Sequence, residues 1–397
     1  MMSSYDNFKK GLLALVLAFP FLRPLPAQQS SLENLDLLSL QEEIGKAGAN
    51  IPADTLPENA CGGYASYDYS GLPLYAFTEE TKVSALIKRA IGGVNRTLDV
   101  ALYNLQAPEA TKALLAAGRR GVRVRIVLDY GHVYPKANPE IQRILDSGME
   151  IRLMKGRGGS GSMHNKYAIF DGSALETGSA NWSLLAEDYS FENMMFVFSP
   201  EIISGYQKNF EWMWSQAGKP GTQGSWPKPV SPPRDETPGV NFNGTALPDY
   251  VFSPRGGTAD AIVRAVDAAS SEIDVAMFSF TSKPIMDALY RARARGVKVK
   301  IMTNKKSAFP FEEEAGKAGI ELRFKPGRSD YGLMHNKFCV LDGRLLINGS
   351  FNWSDTAETL NTENTIFTTD QCYVSAYKAE FNKLYKGAKA ALGLVTK

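Results

Sequence analysis

Met163-His164-Asn165-Lys166-Tyr167-Ala168-Ile169-Phe170-Asp171-Gly172 returns later in the same chain as Met334-His335-Asn336-Lys337-Phe338-Cys339-Val340-Leu341-Asp342-Gly343. The chain holds only 3 histidines, and two of them occupy the same position of these copies. Each copy runs on to a similar tail, Gly178-Ser179-Ala180-Asn181-Trp182-Ser183 and Gly349-Ser350-Phe351-Asn352-Trp353-Ser354. Counted from each His, Lys stands at +2, Asp at +7, Ser at +15, Asn at +17 and a Glu (Glu192, Glu363) at +28. Six polar positions held in register point to duplication of a functional unit.

The flanking sequence is duplicated as well. In the first copy, Val83, Leu86, Ile87 and Ile91 recur at helical spacing, and Thr78-Glu79-Glu80 reads as the helix start. Gly92-Gly93 stops that helix, and Leu98 to Tyr103 reads as a strand. A helix over 108–117, a strand over 122–128, a helix over 139–146 and a strand over 150–154 follow. The Gly-rich loop from Gly156 to Gly161 then leads into His164. The second copy replays this order from Asp260 onward, offset by 175 residues at first and by 171 from Gly319-Ile320-Glu321 on. The four-residue difference falls in the first copy around Tyr130-Gly131-His132-Val133-Tyr134. Alternating strands and helices predict two tandem α/β lobes, each a mixed sheet flanked by helices and related by a pseudo-twofold. Their expected extents are 74–217 and 249–388, joined by a Pro- and Gly-rich linker over 218–248.

At 397 residues, 44% apolar and 22% charged, the chain can bury a core in each lobe. A net charge of +2 gives no bulk electrostatic case for nucleic acid or anionic membrane. Lys9 and Lys10, an apolar run from Gly11 to Leu22 and Leu25-Pro26-Ala27 have the layout of a secretory signal peptide over 1–27. That run is shorter than the roughly 20 residues a spanning helix needs, so the expected destination is secreted or periplasmic. Residues 28–73 form a leader with no recognisable chemistry. Among the cysteines, Cys339 reads as a buried core residue, and Cys61 with Cys372 is the pair to consider for a disulfide.

On a strand, residues two apart share a face. His164 and Lys166 therefore project together, as do His335 and Lys337, and Ser179 with Asn181 and Ser350 with Asn352 lie similarly on the returning strands. Asp171-Gly172 and Asp342-Gly343 read as hairpin turns, with the Asp either a turn residue or part of the catalytic set. Each copy thus offers an imidazole, an ammonium and a carboxamide, which is half of a site. Two halves facing each other would place two His and two Lys around one phosphodiester, whose oxygens Lys and Asn can stabilise. One neutral His can attack phosphorus while the other, protonated, donates to the leaving oxygen; an ordinary imidazole pKa of about 6.5 suits both tasks. Glu192 and Glu363 are candidates to accept from the far ring nitrogens, and Ser179 and Ser350 to contact substrate. The scheme requires no metal and no cofactor. Trp182 and Trp353 read as packing residues, and His132, without a counterpart, as loop structure first and a substrate contact second.

These residues resemble the phospholipase D superfamily, whose mark is His-x-Lys-x4-Asp followed by Gly-Ser-x-Asn. The resemblance implies a lobe pair with the site at its interface and a covalent phosphohistidine resolved by water or an alcohol, with His164 the nucleophile and His335 the general acid. It looks most like the compact branch that includes secreted bacterial nuclease and mitochondrial cardiolipin hydrolase. The expected activity is phospholipase D-type hydrolysis of phospholipid headgroup esters, with peripheral membrane contact and one chain sufficient for catalysis. The alternative is a secreted, metal-independent endonuclease using the same two histidines; a non-catalytic scaffold fits two complete half-sites poorly. The basic clusters Arg119 to Arg125 and Arg291 to Lys300 could form a nucleic-acid track, but they recur at a helix end and the next strand in both copies, as scaffold features would.

Overall fold

The computed structural model describes residues 71–158, 160–222, 231–234 and 239–391. The expected signal peptide, most of the leader and Cys61 lie outside the described residues. Seven strands build the first sheet: β1 (Tyr75–Phe77), β2 (Thr97–Leu102), β3 (Arg123–Asp129), β4 (Glu150–Met154), β5 (Lys166–Phe170), β6 (Ala174–Gly178) and β7 (Asn193–Val197), in the order β1-β7-β6-β5-β2-β3-β4. β2, β3 and β4 run parallel, and β2 meets β5 antiparallel, so the sheet is mixed. Helices α1 (Val83–Gly92), α2 (Pro108–Arg119), α3 (Tyr130–Val133), α4 (Pro139–Leu145) and α5 (Pro200–Gln216) complete this half.

The second half begins with a small hairpin of β8 (Val240–Phe242) and β9 (Thr245–Leu247). An eight-stranded sheet follows, made of β10 (Tyr250–Ser253), β11 (Glu272–Met277), β12 (Lys298–Asn304), β13 (Glu321–Lys325), β14 (Lys337–Leu341), β15 (Leu345–Gly349), β16 (Glu363–Thr368) and β17 (Lys389–Ala390). Its order, β10-β16-β15-β14-β11-β12-β13-β17, repeats the first sheet and adds one edge strand. Its helices are α6 (Thr258–Ala268), α7 (Lys283–Ala294), α8 (Glu312–Lys317), α9 (Asp355–Thr359) and α10 (Gln371–Lys386).

Local chemistry sets several of these boundaries. Pro108 opens α2 where its missing N–H costs nothing, and Asn138, Ser199 and Asp370 cap α4, α5 and α10 through their side-chain oxygens. The helix expected from Thr78 starts only at Val83. Thr78 is drawn into the interior instead, where its hydroxyl donates to Ser190 O at 2.7 Å and accepts from Glu192 N at 3.0 Å. Glu79 and Glu80 pair with Lys383 of α10, both at 2.7 Å, and so tie the two halves together. The stretch expected as a linker also ends early, because Val240, Phe242 and Leu247 are buried in the second core.

Every residue of β5 and β14 is buried, so both sheet faces are covered. The outer faces pack on α1, α2 and α4 in one half and on α6 and α7 in the other. The inner faces share a single core: Ala101, Val127, Tyr167 and Ile169 cluster with Ala276, Met302, Phe338 and Val340, and with Phe210 of α5 and Phe381 of α10. Burying a side chain such as Phe210 or Phe381 stabilises by about 2 kcal/mol. Cys339 is a buried free thiol whose ionisation burial pushes up. Several residues of the basic clusters serve the scaffold. Arg120 and Arg295 donate to main-chain carbonyls at equivalent places, and Arg125 forks onto Asp99 at 2.7 Å and also pairs with Glu211 at 2.6 Å.

Candidate active site

The two motif strands begin where the sheets meet. His164 N donates to Thr362 O at 2.9 Å, and His335 N donates to Phe191 O at 3.0 Å. Each motif is therefore stitched, just before its strand, to the segment that carries the other half's Glu.

That stitching produces a crossed arrangement. His164 Nδ1 lies 2.7 Å from Glu363, and His335 Nδ1 lies 2.7 Å from Glu192. All four side chains are almost wholly buried. A carboxylate held against Nδ1 fixes the proton there and leaves Nε2 as the reactive atom. Glu363 is itself held by Ser350 Oγ at 2.6 Å and Asn361 Nδ2 at 3.0 Å, and Glu192 by Ser179 Oγ at 2.6 Å. Ser179 and Ser350, expected to contact substrate, stand instead behind the histidines as props for the carboxylates. The glycine before each Ser is required by close approach: a Cβ on Gly178 would lie 2.4 Å from Asn193 O, and one on Gly349 would lie 2.2 Å from Asn364 O.

The lysines are buried and curl back, Lys166 Nζ donating to His164 O at 2.8 Å and Lys337 Nζ to His335 O at 2.7 Å. Each ammonium sits over an aromatic ring that also touches its His edge to face, Tyr103 in the first half and Phe278 in the second. Asn181 and Asn352 are buried, and neither Oδ1 has a hydrogen-bond partner among the described residues.

Asp171 and Asp342 are far from this chemistry. A strand advances about 3.3 Å per residue, so the Asp at +7 sits roughly 20 Å from its His. Asp171 accepts from Asn95, Arg96 and Thr97 N at 2.7–2.8 Å, and Asp342 from Ser270, Ser271 and Glu272 N at 2.8–3.0 Å. These bonds hold the Asp342 carboxyl well below the usual range although burial opposes it. Both residues have positive φ, as the tight turn demands. Their inclusion among catalytic candidates is corrected: they pin the far end of the hairpin to the strand beside it.

Two features escaped the reading of the sequence. Asn165 and Asn336, inside the motifs, accept from Asn364 Nδ2 at 3.0 Å and Asn193 Nδ2 at 2.8 Å across the interface. Both pairs are repeated in the sequence, at +1 and +29 from each His, and that repetition was the available signal. Asp129 and Asn304 accept from Met163 N at 2.8 Å and Met334 N at 3.1 Å, setting the residue before each His. Burial pushes the Asp129 carboxyl up to about 7, while its backbone donors and the nearby His164 pull the other way. His132 lies against Tyr103, ring centroids 4.4 Å apart, and Tyr103 lies 4.7 Å from His164, which brings the third histidine to the border of the site.

The family described as cardiolipin synthase, PLD-like domain, matches residues 85–214 and again 262–385. Human mitochondrial cardiolipin hydrolase is 34% identical over 137 residues, which are 34% of this chain and 53% of that protein. The Xenopus laevis mitochondrial cardiolipin hydrolase is 32% identical over 124 residues, 31% of this chain and 57% of that one. The chain thus spans about half the length of the curated relatives it matches. Phosphatidylserine synthase from Haemophilus influenzae Rd KW20 superposes with a TM-score of 0.60 over 80% of this chain and 87% of its own, at 12% identity, which shows a shared fold. The relatives also correct the expected destination: they are named as mitochondrial proteins, which goes against the secreted or periplasmic placement. Among the described residues, no helix is long and apolar enough to cross a membrane. With the same family matched in both halves and the motif residues paired across their seam, the chain belongs to the phospholipase D superfamily, carrying its cardiolipin synthase-type PLD-like domain twice.

Proposed function

We propose that the protein is a phospholipase D-type phosphodiesterase that hydrolyses headgroup-side esters of phospholipids. The observation that carries this reading is the pair of crossed histidine–glutamate contacts, which hold each buried imidazole by its Nδ1 against a carboxylate from the other half. The relatives' name, cardiolipin hydrolase, supports a phospholipid as substrate over nucleic acid.

In the first step His164 Nε2 gives its lone pair to phosphorus. The bond from phosphorus to the leaving oxygen breaks, and that oxygen takes the proton from His335 Nε2. His164 gains positive charge as it becomes phosphorylated, and Glu363 at Nδ1 stabilises that charge. In the second step water attacks phosphorus, its proton passes to His335 Nε2, and the phosphorus–nitrogen bond breaks to restore His164. Lys166, Lys337, Asn181 and Asn352 stabilise the phosphoryl oxygens throughout.

The difference between Asp129 and Asn304 supports this assignment of roles. The attacking histidine gains charge in the first step and the acid loses it, so the half with an additional buried carboxyl suits the nucleophile. The test is incubation of purified protein, in EDTA, with phosphatidylcholine or cardiolipin vesicles and separately with plasmid and single-stranded DNA. Phosphatidic acid-type products without DNA nicking are expected, and nicking without lipid cleavage overturns the reading.

A further inference from the structure

Among the described residues one large hydrophobic side chain is exposed, Tyr331, at 46%. It stands four residues before His335, within about 14 Å of chain. It tops an arch over residues 326–332 that is closed by a bridge between Pro326 and Leu333. The arch is anchored on the first half: Arg328 N donates to Tyr189 O at 2.8 Å, and its guanidinium reaches the carbonyls of Ser190 and Glu187. Gly332 approaches the same main chain so closely that a Cβ would lie 1.7 Å from Tyr189 O. Beside the arch, the loop after β12 exposes Lys305 and Lys306, and Lys306 Nζ donates to Asp330 O. Across residues 305–311 and 326–332 the charged side chains are three cations (Lys305, Lys306, Arg328) against one acid (Asp330), a net of +2; the acids Glu312, Glu313 and Glu314 follow on α8. The corresponding loop of the first half, residues 156–161, carries Arg157 but no exposed large apolar side chain among its described residues.

We propose that this arch and the adjoining lysine loop form the docking face through which the protein meets a bilayer containing anionic phospholipid. Tyr331 enters the interface and Lys305 and Lys306 meet the headgroups. Tyrosine suits that boundary because its ring is apolar and its hydroxyl polar. The arch leads directly into His335, so docking there places the site's mouth against its substrate. The proposal rests on the phospholipid reading above.

The test uses the full chain with vesicles of phosphatidylcholine alone or mixed with phosphatidylglycerol. Co-sedimentation is measured for the wild type, Tyr331→Ser and the double variant Lys305→Glu/Lys306→Glu, each also in a catalytically inactive His335→Ala background. Turnover of the soluble diester bis(p-nitrophenyl) phosphate by the unmutated-His proteins reports folding. The wild type is expected to favour the mixed vesicles, with binding that weakens in salt. Each lysine should be worth about fivefold in binding, and both variants should lose vesicle hydrolysis in proportion while keeping soluble turnover within about twofold. Equal binding by wild type and variants, or no preference for anionic vesicles, overturns the docking face. Loss of single-stranded DNA binding in place of vesicle binding would assign the face to nucleic acid and overturn it too. Vesicle binding without lipid cleavage by the wild type would defeat the phospholipase reading while leaving the face in place.

Discussion

The two halves of the site share a frame and differ at its edges. In both, a histidine is held by the other half's Glu at 2.7 Å, that Glu by its own half's Ser at 2.6 Å, and a lysine sits over an aromatic ring. Around that frame Asp129 in one copy corresponds to Asn304 in the other, Tyr103 corresponds to Phe278, and His132 has no counterpart in the second copy. Identical parts build a proposed phosphate site that neither half completes alone. Unlike parts can then give the two chemically equal histidines different tasks, because an added buried carboxyl changes which ring best bears positive charge.

The largest effect should come from breaking the crossed pairs. His164→Ala and Glu363→Gln should each lower turnover of phospholipid by about 10²–10⁴-fold, and so should His335→Ala and Glu192→Gln. The two sets should separate on leaving group. With a p-nitrophenyl ester, which leaves without a proton, the His335 and Glu192 variants should recover most of the first step, whereas the His164 and Glu363 variants should not. Burst kinetics would show this, and grouping by half, His164 with Glu192, would refute the crossing.

A smaller effect sharpens the asymmetry. Asp129→Asn gives the first half the second half's residue. With the Asp129 carboxyl at about 7, its charge beside His164 develops as pH rises through neutrality. The ratio of wild-type to variant turnover should therefore climb from pH 6 to pH 8, by several-fold, and a flat ratio would remove Asp129 from the chemistry.

Smaller consequences for catalysis attend the hairpin aspartates. Asp342→Asn should lower the melting temperature modestly, since three largely solvent-facing backbone donors lose a charged acceptor. Turnover by the folded protein should stay within about twofold, measured below the transition.

The smallest concerns Glu176, whose position in the second half is Ile347. Glu176 is fully buried beside the indole of Trp182, neither of its oxygens makes a hydrogen bond among the described residues, and burial pushes its carboxyl from 4.5 up to about 8. The folded state thus holds the proton more tightly than the unfolded chain. Its contribution to stability is complete below about pH 4.5 and lost as pH rises through 8. Glu176→Gln should melt with a flatter pH dependence over that window, and unchanged curvature would contradict it.

Much of this was legible in the sequence because duplication supplies its own control. The strands at 150–154 and the two motif hairpins follow from alternation and turn chemistry, and the equal spacing to Glu192 and Glu363 marked them as functional. Which His each Glu serves was not legible, since a shared spacing cannot distinguish pairing within a half from pairing across the seam. The Ser and Asp roles were misassigned for a related reason. Spacing reports that a polar residue repeats, while a prop behind a carboxylate or a pin at a distant turn repeats as faithfully as a ligand. Asp129 was missed because its counterpart is Asn304, which breaks the repeat that exposed the others.

The most direct measurement is alkaline-quenched mass spectrometry of the protein turning over a p-nitrophenyl phosphodiester in the His335→Ala background, where hydrolysis of the intermediate is slowed. The crossed-site account predicts a phosphorylated adduct on His164 that disappears when Glu363, from the other half, is changed to Gln, and persists when Glu192 is changed instead. An adduct on His164 that survives Glu363→Gln but is lost with Glu192→Gln would contradict it.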